Sequence, residues 1–225
     1  MRVPEPAREV VAAFDLDGTL TDGGSVFRWL GRVAGTTRAY RAAAELVVPL
    51  TIGALRSGAA ADRSKERLFV RLLEGRDATE VAATSRAFIL EHLERHARPA
   101  VVARLRWHQS QGHATVIVSA SPEIYVSVVA EHLGVDGAIG TRLASDTTGR
   151  LSGRYEGRNC RGTEKARRLE EWLSARGGEP ALYAYGNSRG DRRMLERADF
   201  PFNVGRLGRL GRLRRYPRLA DPAGP

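Results

Sequence analysis

The chain has 225 residues, 24.6 kDa and 42% apolar residues, enough to bury roughly 70–75% of its unfolded surface around one core, with at most a smaller lobe beside it. Cys160 is the single cysteine, which excludes an intrachain disulfide and the stapled secreted folds and fits a reducing, cytoplasmic setting. The formal charge is +10, and every lysine-or-arginine position except Lys65 and Lys165 is arginine. No leader-like segment opens the sequence, and its most apolar run, Leu46 to Leu55, is about half a bilayer span and contains Pro49, so an integral membrane protein is not expected.

The first element is a short apolar strand, Val10 to Phe14, which runs straight into Asp15-Leu16-Asp17-Gly18-Thr19-Leu20-Thr21. Two carboxylates leaving a buried strand repel each other, so they call for a cation, and a hard oxygen-seeking ion such as Mg²⁺ suits them. From about Gly24 to His96 the sequence reads as several helices. Val26, Phe27, Leu30 and Val33 form one apolar stripe, and Asp77 with Glu80 forms a capping box. This stretch is expected to stand over the strand ends as a cap.

A second strand, Ala114 to Val118, leads into Ser119-Ala120-Ser121-Pro122, where Ser121 reads as an N-cap and Pro122 as the first residue of a helix reaching His132. Free amides at that helix start favour an anion, and the Ser119 hydroxyl would point to the same place. Ala138 to Arg142 and Arg150 to Tyr155, around Asp146 and Gly149, read as a small hairpin. Thr163 reads as the cap of a helix over Glu164 to Ala175 that carries Lys165 in its first turn. A cation there opposes the helix dipole, so an anion should hold it. A third strand, Ala181 to Tyr185, leads into Gly186-Asn187-Ser188-Arg189-Gly190-Asp191, whose amide oxygen and carboxylate would complete an oxygen-ligand set. Strands alternating with helices imply a mostly parallel sheet, with ligands beyond the carboxyl ends of its strands.

The last segment, Gly205 to Pro225, holds Arg206, Arg209, Arg212, Arg214, Arg215 and Arg218 against Asp221. Its three-residue repeat gives neither helix nor strand one clean face. It reads as a solvated or loosely docked tail, with weak contact to an anionic membrane as the sharper alternative. No aromatics interleave with the arginines as a specific nucleic-acid reader would require.

These motifs, in this order, resemble the haloacid dehalogenase-like (HAD) superfamily, and within it the phosphoserine phosphatase-like subfamily IB. The resemblance implies an α/β fold with a Rossmann-like parallel-sheet core and a helical C1-type cap inserted after the first strand. The core would take residues 1–23 and 97–204, the cap 24–96, and the arginine-rich tail 205–225. It implies a Mg²⁺-dependent phosphatase that hydrolyses a phosphate monoester through an aspartyl-phosphate. Asp15 would be the nucleophile and Asp17 the acid and base, with Ser119 and Lys165 holding phosphate and Asp15, Asp17, Asn187 and Asp191 holding the metal. Asn187 departs from the carboxylate that many members carry, and Gly24 stands where phosphoserine phosphatases place a substrate-binding glutamate, which argues against phosphoserine.

The partner is then a small phosphorylated substrate, and Phe27, Trp29, Tyr40 and Leu46 to Leu55 leave room for an apolar part, although core packing explains them as well. The alternative is a catalytically weak phosphate-binding or regulatory module of the same fold. A receiver-like domain is disfavoured because Ser119 stands where its phospho-accepting aspartate should be. A cysteine phosphatase fails because Ala166, not arginine, is the sixth residue after Cys160, and no nucleoside-triphosphate loop is present.

Overall fold

The computed structural model describes residues 8–45, 58–205 and 213–219. Five short runs rich in apolar residues, β1 (Val10–Phe14), β2 (Ala114–Pro122), β3 (Gly137–Thr141), β6 (Ala181–Gly186) and β7 (Phe200–Asn203), form one wholly parallel sheet in the order β3-β2-β1-β6-β7. β1 is central, and its alternation feeds two cores. Ala12 and Phe14 face one side, while Val11 and Ala13 face the other. On the first side lie α5 (Pro99–Ser110) and α6 (Glu123–Leu133), through Val101, Leu105, Tyr125 and Val126. The second side is covered by α7 (Thr163–Ser174) and α8 (Arg192–Arg197), through Leu169, Leu173, Met194 and Leu195.

The expected helical insertion is present as α1 (Val26–Ala34), α2 over 36–45, α3 (Gly58–Leu73) and α4 (Ala78–His96). Asp77 caps α4 by accepting from the Thr79 and Glu80 amides at 2.9 and 3.1 Å. The first core continues into these helices through Trp29, Phe69 and Ile89, and α4 packs on α6. Trp29 is fully buried, with its indole N–H donated to Ser85 at 2.7 Å, so it serves packing. The run 46–55 lies outside the described residues.

Three local expectations give way to longer-range partners. Residues 137–141 belong to the main sheet rather than to the hairpin, because β3 finds β2 as a parallel neighbour. The hairpin is instead β4 (Leu143–Ser145) with β5 (Leu151–Tyr155), its turn tied by Asp146 to Thr148 and Arg150. β5 lies against α3 so closely that a Cβ on Gly153, at φ +72°, would meet Val70 Cα at 2.4 Å. Ser121 does not cap α6, since its hydroxyl is drawn to Asp17, and Thr163 is the first residue of α7, with Gly162 at the cap position.

The described part of the tail, 213–219, is docked. Leu213 is buried in the second core, Asn203 N–H donates to Pro217 O at 2.8 Å, and Arg215 pairs with Glu196 at 2.6 Å. Arg206, Arg209, Arg212 and Asp221 lie outside the described residues. Among the described residues no helix is long and apolar enough to cross a membrane.

Candidate active site

Register brings the motifs together. Phe14 is level with Ile117 on β2 and with Tyr185 on β6, so Asp15, Ser119 and Gly186-Asn187 all emerge at the carboxyl edge of three adjacent strands. β1, where the order turns outward in both directions, makes this edge the natural ligand crevice.

Asp15, 6% exposed, receives the Thr19 hydroxyl at 2.9 Å on one oxygen and Lys165 Nζ at 2.7 Å on the other. Lys165, 1% exposed, also donates to Asp191 Oδ1 at 2.5 Å. Three segments distant in sequence therefore share one buried charge cluster. Burial opposes the Lys165 charge, but Asp15 and Asp191 outweigh it and hold the ammonium above its ordinary range. Burial, with the charge of Asp191, pushes Asp15 up to about 7. Burial works against Asp191 as well, yet Lys165 and Ser188 more than offset it and keep Asp191 below the usual carboxylate range. Its second oxygen accepts from the Ser188 hydroxyl and amide at 2.8 and 2.9 Å and from the Asn187 amide at 3.2 Å.

Asp17 faces the cap side. Ser25 donates its amide at 2.7 Å to one oxygen and its hydroxyl at 3.0 Å to the other, which also takes the Ser121 hydroxyl. Tyr125 OH lies 2.8 Å from Ser25 Oγ. Ser119, 1% exposed, accepts the Ser121 amide at 3.1 Å. Lys65 crosses from α3 to the core, donating to Ala120 O at 2.6 Å and Asn159 Oδ1 at 3.0 Å. Burial pulls its ammonium down to about 8. Thr19, Ser25, Lys65, Tyr125 and Asn159 are thus parts of the site that motif reading passed over. Only Thr19 lay inside a recognised motif.

Asn187 Oδ1 is buried without a hydrogen-bond partner, and an orphaned amide oxygen at the same strand edge as Asp15 is what a hard cation would satisfy. The Asn187 side chain sits directly over Gly18, where a Cβ would fall 1.8 Å from Nδ2. Among the described residues no three acidic, histidine or cysteine side chains gather at metal-ligating spacing. Asp15, Asp17 and Asp191 each direct both oxygens to protein donors, so Asn187 Oδ1 is the one oxygen of the four expected ligands left unpartnered, and a Mg²⁺ beside it would share Asp15 and Asp191 with Lys165. Cys160 is fully buried, with its thiol pushed up to about 11, chiefly by burial, which makes it a packing residue rather than a nucleophile.

The profile of the haloacid dehalogenase-like hydrolases matches residues 12–196, from the middle of β1 to near the end of α8. The chain belongs to that family. It is 35% identical over 195 residues to protein CicA of Caulobacter vibrioides, covering 84% of this chain and 83% of that one. It is 31% identical over 186 residues to a phosphoserine phosphatase of Archaeoglobus fulgidus, covering 82% of this chain but only 49% of the relative. A solved structure from Bordetella pertussis Tohama I, of unknown function, superposes with a TM-score of 0.80 at 24% identity, covering 95% and 99% of the two chains. That likeness confirms the Rossmann-like α/β fold of this hydrolase.

Proposed function

We propose that this HAD hydrolase is a Mg²⁺-dependent phosphatase that cleaves a small phosphate monoester through a phosphoryl group carried transiently on Asp15. The observation that carries the reading is Lys165, buried between Asp15 and Asp191 at 2.7 and 2.5 Å. Such a lysine keeps two carboxylates at the mouth of a parallel sheet and retains an N–H for an incoming phosphoryl oxygen. The similarity to a protein named phosphoserine phosphatase supports the reaction class. Gly24 argues against that substrate.

An Asp15 oxygen attacks phosphorus, the bond from phosphorus to the ester oxygen breaks, and Asp17 gives that oxygen its proton. Water then attacks the acyl phosphate, Asp17 takes its proton, and inorganic phosphate leaves with Asp15 restored. Ser119 and Lys165 hold the phosphoryl oxygens, while Ser25 and Ser121 fix the direction of Asp17. Mg²⁺ held by Asp15 and Asn187, with Asp191 behind them, would offset the charge between an anionic nucleophile and an anionic substrate. Full burial of Trp29 in the core gives an apolar substrate part no support. A cytoplasmic location fits the single buried thiol.

The test is steady-state phosphate release from p-nitrophenyl phosphate and a panel of sugar, amino-acid and nucleotide monoesters, with Mg²⁺ and then with EDTA. Turnover is expected with Mg²⁺ only, and Asp15→Asn is expected to abolish it. Equal release by wild type and Asp15→Asn would overturn the mechanism. Phosphate binding without turnover would favour the binding-module reading.

A further inference from the structure

A cavity of about 820 Å³ opens between α3, the segment after β5 and the turns that lead into α7 and α8. It is not the Asp15 crevice, but it abuts it, because Gly162, Thr163 and Gly190 line it and the same turns carry Lys165 and Asp191. Its wall holds Arg63, Arg158, Arg161, Arg189, Arg192 and Arg193 against Asp62, Glu66 and Glu164.

The three carboxylates have other work. Asp62 accepts from Asn159 at 2.7 Å and pairs with Arg161 at 3.6 Å, Glu66 accepts the Tyr155 amide at 3.0 Å, and Glu164 is held by Arg167 and Arg168. Arg192 and Arg193 share Glu196. Arg63, Arg158 and Arg189 form no ion pair among the described residues. Since nearly every basic residue of the chain is arginine, the type of residue decides nothing. The deciding facts are the concave position and the unpaired charge, in a site whose neighbour binds phosphate.

We propose that this cavity receives a second anionic group of the substrate, a phosphate, so that the preferred substrate carries two phosphates, one cleaved at Asp15 and one held by these arginines. Guanidinium groups match the phosphate geometry through paired N–H donors, and like charges gathered around a cavity are relieved by a dianion. The inference rests on the phosphatase reading above.

The experiment compares kcat/KM for matched pairs, glucose 6-phosphate with glucose 1,6-bisphosphate and adenosine 5′-monophosphate with adenosine 3′,5′-bisphosphate, with p-nitrophenyl phosphate as the reference. In wild type the bisphosphate is expected to win by at least about tenfold in at least one pair, beyond the factor of two that two esters give statistically. The gain should lie mainly in KM and shrink with added salt. In Arg63→Gln/Arg158→Gln the ratio should fall toward two. Both side chains are exposed, and Arg158→Gln alone keeps the test readable if the double variant melts early. A wild-type ratio of two or less in both pairs, or a ratio the variants leave intact, overturns the proposal while p-nitrophenyl phosphate turnover leaves the phosphatase reading standing. Absence of turnover on every ester removes both.

Discussion

Replacing Lys165 by methionine keeps the side-chain length and removes the charge that Asp15 and Asp191 share. Both carboxylates are nearly inaccessible, at 6% and 1% exposure, so neither can turn to water without opening the site. One route for the variant is to protonate Asp191, because Asp15 already stands at about 7 with the lysine in place. Against an ordinary value of 3.8, that costs about 1.4 kcal/mol for each pH unit above it, or about 4.4 kcal/mol at pH 7 and about 1.6 kcal/mol at pH 5. The other route leaves an unpaired buried charge at about 3–5 kcal/mol, which caps the loss. Without the lysine, burial moves the Asp191 pKa from below the unfolded value to above it, so the folded variant binds a proton that the folded wild type does not. The variant's stability deficit therefore grows as pH rises. Urea unfolding of both proteins in EDTA at pH 5 and pH 7 reads this directly. The expected deficit is about 4 kcal/mol at pH 7 and about half that or less at pH 5, and Asp191→Asn in the same background should recover part of it. A deficit under about 1 kcal/mol at pH 7, or one independent of pH, would refute the shared-charge argument.

Asp17→Asn should lower kcat/KM, which reads only the steps up to departure of the leaving group, by about 10²–10⁴-fold on alkyl phosphates but much less on p-nitrophenyl phosphate, whose leaving group needs little protonation. Equal losses on both would remove Asp17 from the proton-donor role. Gly153→Ala should cost about 2–4 kcal/mol by combining left-handed backbone strain with the clash against Val70, a drop that thermal melting resolves. A neutral result would mean that β5 sits further from α3. His108 is fully buried and contacts Tyr185 OH and His113 Nδ1, both at 2.8 Å, and burial, followed by His113 and Arg104, pulls its pKa down to about 3. The unfolded chain thus takes up a proton near pH 6.5 that the folded one refuses, so stability present above pH 6.5 is lost as pH falls toward 3. His108→Gln should flatten that acid limb in pH-dependent melts, and an unchanged limb would place the acid sensitivity elsewhere.

The placement of the candidate residues was legible in the sequence because three of the four motifs sit at the end of a local apolar strand, which fixes where the next residues emerge, and the fourth, with Lys165, opens a helix. Asp15, Ser119, Lys165, Asn187 and Asp191 could all be named from such short-range cues. What escaped were side chains recruited across the fold. Ser121 looked like a helix cap until Asp17, 104 residues earlier, drew its hydroxyl away. Ser25 and Asn159 matter because of what they face, and Lys65 matters because α3 carries it over the Ala120 carbonyl.

The sequence by itself determined the alternation of strand and helix, the helical insertion after the first motif and the family, since all three are written in local periodicity and motif order. Tertiary structure alone decided that residues 137–141 join the main sheet, that 213–219 dock on β7 and the second core, and that an arginine-lined cavity borders the site. Strand partners, and the competition of several donors for one buried carboxylate, are settled by contacts between distant segments. A window of neighbouring residues carries no record of those contacts.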